Sequence, residues 1–507
     1  MAERSEEKKS LEKRTVMGAI WTTAASIGSR LIGVASTFVL TRFLPPDVQG
    51  EVGNTFILVS SASMISSLGL GQYIASQPKA GRAVSFHVTV YYLVAGLLAF
   101  GLCYALRGFL GHAFHIPHLD VFLPGLLFSV TLDRIATLPR NILARDMNFK
   151  VIGLRQAVGE VVYGGVTVLA AWQGFGGSSI VVGNIARGAI GILILGWVVD
   201  WRDWLEPTRL SPATTRKLFK FGLPLNVASF FHYGAGNWDN IIMGTSFNET
   251  TVGLYNQAYK LADLPATHIG EQIGDVLVPS FAHMEDPEER KRQLGRATGL
   301  LCLVIFPLAV GLGAVGETLV ATAYTAEWAG VAPLLTILSV LSVVRPIGWL
   351  IGSYLQVVAR SKAIMLLEII KVGLIVGSML LLTFVSRKAG LDEKHVPIAA
   401  AAGVGVGYGL NAVFYLWSLR SEGIAFRAVV KPVIGPLLAC LPMVAAILAV
   451  RFGFTFTKVP NWARLIAEIT LGGLIYVPSA LVIARTSARD FLGLLRNVLR
   501  RRSKRPT

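Results

Sequence analysis

Long apolar runs broken by short polar turns recur from one end of the chain to the other, each long enough to carry a helix through the roughly 30 Å of a bilayer's hydrocarbon. They predict an all-α polytopic membrane protein of about fourteen transmembrane helices. The runs cover residues 16–40, 52–75, 84–106, 119–138, 151–172, 180–199 and 218–245, and then 253–281, 297–323, 331–359, 363–385, 396–419, 429–450 and 462–484. The least regular is 119–138, which holds Pro124 and Asp133.

One stretch breaks the pattern. "FFHYGAGNWDNIIMGTSF", from Phe230 to Phe247, sets His232, Asn237, Asp239 and Asn240 inside a helix-length run. At about 100° per residue, Asn226, Ser229, Tyr233, Gly236, Asn237, Asn240 and Gly244 share one side, with His232 and Asp239 on its margin. Val227, Phe231, Trp238, Ile241 and Ile242 take the other. Such a helix is expected to turn its apolar half to lipid and its polar half to a wet interior.

Composition agrees with the pattern: of 507 residues 53% are hydrophobic and 15% charged, too oily for a soluble chain of this length. The formal charge of +17 raises the question of nucleic acid, but its distribution answers it. With the N-terminus inside, alternate loops and the tail collect roughly thirty Lys and Arg against about seven on the opposite side. Both termini are then cytoplasmic, topology explains the charge without a nucleic-acid partner, and the basic tail is suited to anionic headgroups. Cys103, Cys302 and Cys440 each fall in an apolar run without paired spacing, so neither disulfide nor metal site is expected, and no cofactor is implied. The first run lacks a cleavage site and reads as a retained anchor. No loop exceeds roughly twenty residues, too few for a soluble catalytic domain.

An internal repeat organises the spans. "ASIGSRLIGVASTFVLTRFLPPDVQGEVGNTFIL" from Ala25 aligns without a gap to "ASFFHYGAGNWDNIIMGTSFNETTVGLYNQAYKL" from Ala228, placing Gly50 opposite Gly253. Both copies enter from the same side, so the halves are parallel repeats, the plan of a two-bundle transporter. Further on, "DNIIMGTSFNETTVGLYNQAYKLADLP", "VLVPSFAHMEDPEERKRQ" and "LSVVRPIGWLIGSYLQVVARSK" resemble the polysaccharide transporter, or oligosaccharide flippase, family of the multidrug/oligosaccharidyl-lipid/polysaccharide exporter superfamily. The shared features are Asp239 in span seven, Gly253 with Tyr255 opening span eight, Pro279 followed by the charged 285–296 loop, and Arg360 with Lys362 after span ten. Ala359 stands where the family pattern has Gly.

That resemblance implies two six-helix bundles around a central cavity, 16–200 and 218–419, joined by a cytoplasmic linker at 201–217. A cytoplasmic segment at 1–15, two additional transmembrane helices within 429–484 and a basic tail at 485–507 complete the chain. It also implies a bacterial inner-membrane flippase that carries undecaprenyl-pyrophosphate-linked oligosaccharide outward for surface polysaccharide biosynthesis by alternating access. Its partners would be the lipid-linked oligosaccharide, membrane lipids, and the polysaccharide polymerase and chain-length proteins.

An anionic pyrophosphate calls for arginine, whose planar fork binds phosphate oxygens in pairs. Arg30 shares a stripe with Thr22, Ser26, Ser29, Gly33 and Thr37 and is either a cavity ligand or one half of a structural pair. Arg134, Arg155, Arg187 and Arg345 are further candidates; Arg134 follows Asp133, and Arg345 precedes Pro346, where a bend is expected. Asp239 is expected either to line the cavity, paired with an arginine or taking up a proton, or to bind two helices together. Asp263, Glu271 and Asp275 fall broadly on one face of span eight and are coupling candidates. Glu368 and Lys371, three apart, are expected to neutralise each other. "VGYG" from Val406 lies within a helix-length run, where Gly405 and Gly409 are expected to serve close packing instead of an ion filter. The rival functions are a multidrug antiporter of the same superfamily, which would want an acidic aromatic cavity, and a polymerase or scaffold of a polysaccharide-synthesis complex. With no phosphate-binding loop in the chain, ATP is not the direct driver.

Overall fold

The computed structural model describes residues 28, 32–33, 35–76, 81–146, 148–265, 286–358, 360–455 and 459–493. Among these no strand occurs, and the chain is helical nearly throughout. It divides into two compact units, Met1–Gly253 and Leu254–Thr507.

The first unit contains α1 (Pro46–Ile65), α2 (Leu70–Ser76), α3 (Arg82–Ala105), α4 (Arg107–Ala113), α5 (Leu119–Arg145), α6 (Phe149–Trp172), α7 (Ser178–Val198), α8 (Arg202–Leu205) and α9 (Pro212–Ser246). α5 absorbs both Pro124 and Pro139 without a break and runs past the expected end of its span to Arg145. Two large apolar clusters lie in the unit. In one, Val52 and Val59 of α1 meet Leu123, Leu126 and Val130 of α5; in the other, Leu70 and Ile74 of α2 meet Val88 of α3, Leu138 of α5 and Leu218 of α9. The linker is tied down where Arg82 bridges Asp203 at 3.0 Å and Glu206 at 3.3 Å.

The second unit follows with α10 (Glu249–Pro265), whose first turn still belongs to the first unit, α11 (Pro287–Ala323), α12 (Val331–Leu341), α13 (Arg345–Val357), α14 (Ser361–Lys388), α15 (Val396–Ser418), α16 (Phe426–Thr455) and α17 (Asn461–Ile483). α11 starts where its sequence says it should. Asp286 caps it by accepting from the Glu288 N–H at 2.9 Å, a proline takes the first helical position, and Glu288 and Glu289 face the positive end of the helix dipole. α11 then carries two cores. Leu301 and Ile305 pack with Leu350 and Ile351 of α13 and Tyr415 of α15, while Cys302 and Phe306 pack with Ala439 and Met443 of α16 and Tyr476 of α17. α15 lies against α14 through Gly403 and Gly407, where a side chain would run into the backbone of Met379 and Ile375. Gly405 packs on Leu341 as expected, but Gly409 faces open space.

Among the described residues nine segments are long and apolar enough to cross a membrane: α3, α5, α7, α11, the α12–α13 pair, and α14 to α17. α1, α6 and α9 have the length but not the apolarity. Helices that polar survive in a membrane only with protein or water on their polar side, which makes them the place to look for function.

Candidate functional site

The polar stripe of α9 is met by a matching stripe on α1. Asn226 accepts from the Ser67 hydroxyl at 2.5 Å and donates to the Ile65 carbonyl at 2.9 Å. Tyr233 hydrogen-bonds the Ser60 hydroxyl, and Gly244 abuts the Asn54 amide. Asp239 is 2% exposed and accepts from Asn240 at 3.2 Å. α1 thus covers part of the stripe: Asn226, Asn240 and Gly244 are buried, Ser229, Tyr233, Gly236 and Asn237 are part-buried with open space beside Gly236, and His232 at the margin is exposed.

α1 itself ends early, at Ile65, and the chain turns through Ser66 to Gly69, with Leu68 at φ 53°, before α2 begins. A helix end inside a membrane leaves carbonyls with no water to solvate them. Here each finds a donor. Ser66 N–H takes Ala62, Ser67 N–H takes Met64, Asn226 takes Ile65, and Arg134 takes Ser63 at 2.9 Å and Ser66 at 3.0 Å. Arg134 also donates to both serine hydroxyls and to the Tyr92 carbonyl at 2.7 Å, with its guanidinium over the Tyr92 ring. It is 3% exposed. The residue expected to receive substrate, or to pair with Asp133, instead closes a broken helix.

Asp133 turns the other way, to Arg155 of α6 at 3.2 Å. One turn along α6, Glu160 pairs with Arg187 of α7 at 3.5 Å, and Arg187 donates to Asn184 at 2.8 Å with its charge over the Tyr163 ring. Gly191 and Gly159 leave room for Arg155 and Arg187 respectively. Arg140 and Arg187 both lie near enough to Arg155 to repel it. Among the described residues three guanidinium groups thus share α5, α6 and α7 with two carboxylates, Asp133 and Glu160, an excess of one positive charge. The ion pairs are only partly buried, so an anion can reach them.

The second unit brings Arg345 and Asp263 together as an ion pair. Arg345 stands at the break between α12 and α13, where a short 3-10 turn, Ser342–Val344, interrupts the span just ahead of Pro346. Its guanidinium donates to the Tyr259 hydroxyl at 2.8 Å and lies 5.0 Å from the Tyr259 ring and 4.3 Å from that of Tyr408. Asp263 and Tyr259 come from α10, and Tyr408 from α15. One further residue belongs here. Lys260 lies three positions before Asp263 on α10, accessible, and has no hydrogen-bond or ion-pair partner among the described residues.

Two clusters are structural in character. Glu368 pairs with Lys371 at 2.5 Å, as expected, and accepts from Tyr415 at 2.9 Å. A second was not anticipated: Arg451 at the end of α16 pairs with the fully buried Glu468 of α17 at 3.2 Å, and Thr318 of α11 donates to the same carboxylate at 2.8 Å. It binds the last two helices to α11. Glu468→Leu alone leaves Arg451 without its buried partner and is expected to lower stability by about 3 kcal/mol, whereas Glu468→Leu with Arg451→Met recovers most of it; thermal unfolding in detergent distinguishes the two. Arg30, Glu271 and Asp275 lie outside the described residues.

The chain is 23% identical over 430 residues to the lipopolysaccharide biosynthesis protein WzxC of Escherichia coli (strain K12), covering 84% of this chain and 83% of that protein. It is 22% identical over 495 residues to the succinoglycan biosynthesis transport protein ExoT of Rhizobium meliloti (strain 1021), covering 94% of each. Its fold is that of the lipid II flippase MurJ in an inward closed conformation, with TM-score 0.72 and 13% identity over 92% of this chain and 99% of the other. An inward-facing multidrug resistance MATE transporter of the MOP superfamily follows, with TM-score 0.61 and 15% identity over 79% of this chain and 95% of that one. Residues 39–333, more than half of the chain, match the family described as polysaccharide biosynthesis protein, and the chain belongs to that family, within the polysaccharide transporter branch its motifs resemble.

Proposed function

We propose that the protein translocates undecaprenyl-pyrophosphate-linked oligosaccharide across the bacterial inner membrane for surface polysaccharide biosynthesis. The observation that carries the reading is the cluster of Arg140, Arg155 and Arg187, which outnumbers Asp133 and Glu160 on α5, α6 and α7 of the first unit. A net cationic site inside a membrane is costly to maintain unless it meets an anion, and paired arginine forks suit a pyrophosphate. A multidrug antiporter working on organic cations would gain nothing from such a charge. Transport proceeds by alternating access of two six-helix bundles, 16–200 and 218–419, with both termini cytoplasmic and the two helices of 429–484 outside the transport core. The sugar-bearing headgroup enters from the cytoplasm and leaves on the far side, the arginines holding its pyrophosphate in transit.

The test is reconstitution of the full chain in vesicles loaded on one leaflet with undecaprenyl-pyrophosphate oligosaccharide, scoring what reaches the other leaflet. Arg155→Gln with Arg187→Gln is expected to cut the rate by about a hundredfold, roughly tenfold for each lost charge-assisted contact. Unchanged transport in that double variant, or efflux of cationic dyes in place of lipid-linked sugar, overturns the reading.

A further inference from the structure

Each unit carries an arginine at a helix break, Arg134 reaching the end of α1 and Arg345 opening α13, and the partners differ in kind. Arg134 is held by backbone carbonyls and serine hydroxyls, none of which can change charge or move away. Among the described residues Arg345 pairs with the carboxylate of Asp263, which is a quarter exposed. Beside that pair stands Lys260, on the same face of α10 and within reach of Asp263 by its i, i+3 spacing, yet unpartnered among the described residues. Of the two cations on this face, Asp263 pairs with Arg345 in this structure.

We propose that Asp263 is an exchangeable internal anion: it occupies Arg345 in the present structure, and passes to Lys260 when Arg345 takes up a phosphate or pyrophosphate oxyanion of the cargo. The identity of the cargo rests on the flippase reading; the exchange does not. Tyr259 and Tyr408 suit such a receptor, since their rings wall the guanidinium on two sides and leave the carboxylate's position as the place for an oxyanion. The 3-10 turn immediately before Arg345 supplies an irregular joint at which α13 can shift as its arginine changes partner. In each state the carboxylate stays paired, so no bare negative charge is left in the membrane while the anion moves.

Binding of inorganic pyrophosphate to the purified full chain in detergent, followed by titration calorimetry, tests this. Asp263→Asn removes the competitor and frees both cations, and is expected to tighten binding about tenfold while slowing translocation about tenfold, because the anion is no longer displaced. Lys260→Gln removes the carboxylate's alternative seat and is expected to weaken binding about tenfold, with Lys260→Arg restoring it. Lys260 is accessible, so its variants retain the fold and carry the test even where Asp263→Asn yields no protein. A prenyl pyrophosphate titrated in parallel separates lipid-borne from free oxyanion: tighter binding with the same order among variants marks the lipid-linked ligand. Unaltered pyrophosphate affinity in Asp263→Asn or in Lys260→Gln overturns the exchange. If the affinities shift as stated while the wild type moves no lipid-linked oligosaccharide, the exchange stands and the cargo assignment falls.

Discussion

Arg134→Leu is expected to yield little folded protein, with a stability loss on the order of 3 to 5 kcal/mol, about the size found when one partner of a buried charged network is removed. The side chain serves Ser63, Ser66 and Tyr92 at once, at 2.7 to 3.0 Å. Its loss strands the carbonyls of Ser63 and Ser66 at the open end of α1, with Leu70 and Tyr92 packed around them in place of water. Arg134→Lys recovers only part of the loss, because an ammonium is a point donor and cannot span two helices as the fork does. Gly96→Ala acts on the same group from the opposite wall, since a methyl there occupies the space of the guanidinium. Yield of monodisperse protein and thermal unfolding in detergent measure all three. An Arg134→Leu protein as stable as the wild type would show that the end of α1 needs no such closure. Arg155→Gln, whose partner Asp133 is 38% exposed, is expected to unfold within about 1 kcal/mol of wild type, so loss of transport and loss of fold separate along α5 and α6.

That contrast also shows where the sequence could be read and where it could not. Apolar run length located the start of α5 at Leu119 and the end of α11 at Ala323, because lipid demands it, while both helices extend beyond their apolar runs, α5 to Arg145 and α11 back to Pro287. The partner of Arg134 was out of reach, and for a plain reason: neighbours in sequence on a helix point about 100° apart, so Asp133 looks to α6 while Arg134 looks to α1 and α3. Pro346 marked the bend in span ten, yet the interruption begins earlier, at Ser342–Val344, where no single residue announces it. The break after α1 lies in "SSLGLG", whose leucines keep the run apolar while Gly69 permits φ 65°. Arg140 lies beyond the apolar run 119–138, yet α5 continues past Pro139 to Arg145. The stripe on α9 was legible as a stripe, but a stripe does not declare whether water or another helix faces it. Asn54 and Ser60 on α1, with Ser67 in the turn after it, were the signal that a helix meets part of it.

The repeat makes the remaining prediction. Gly50 and Gly253, which the alignment places opposite one another, meet in space within the first unit: a methyl on Gly50 would stand 2.5 Å from the Glu249 carbonyl oxygen and 2.8 Å from the Gly253 nitrogen, and one on Gly253 would press into the Pro46 carbonyl. Equivalent positions of a parallel repeat touch only where the local axis relating the two copies passes between them, so the first turns of α1 and α10 are each other's counterpart at this crossing. Both obstructions are backbone, which cannot rotate aside as a side chain can. Gly253→Val is therefore expected to force the two turns apart and, beyond the roughly 1 to 3 kcal/mol usual for overpacking, to lower translocation more than tenfold in protein that still inserts and unfolds cooperatively. Gly50→Ala should do the same more mildly, its methyl being the smaller intrusion. The pair of variants together should be no worse than Gly253→Val alone, because once the turns have separated the second methyl meets nothing. Additive losses in the double variant would mean that the two glycines act at separate places, and the correspondence read from the repeat would then be one of sequence without a shared crossing.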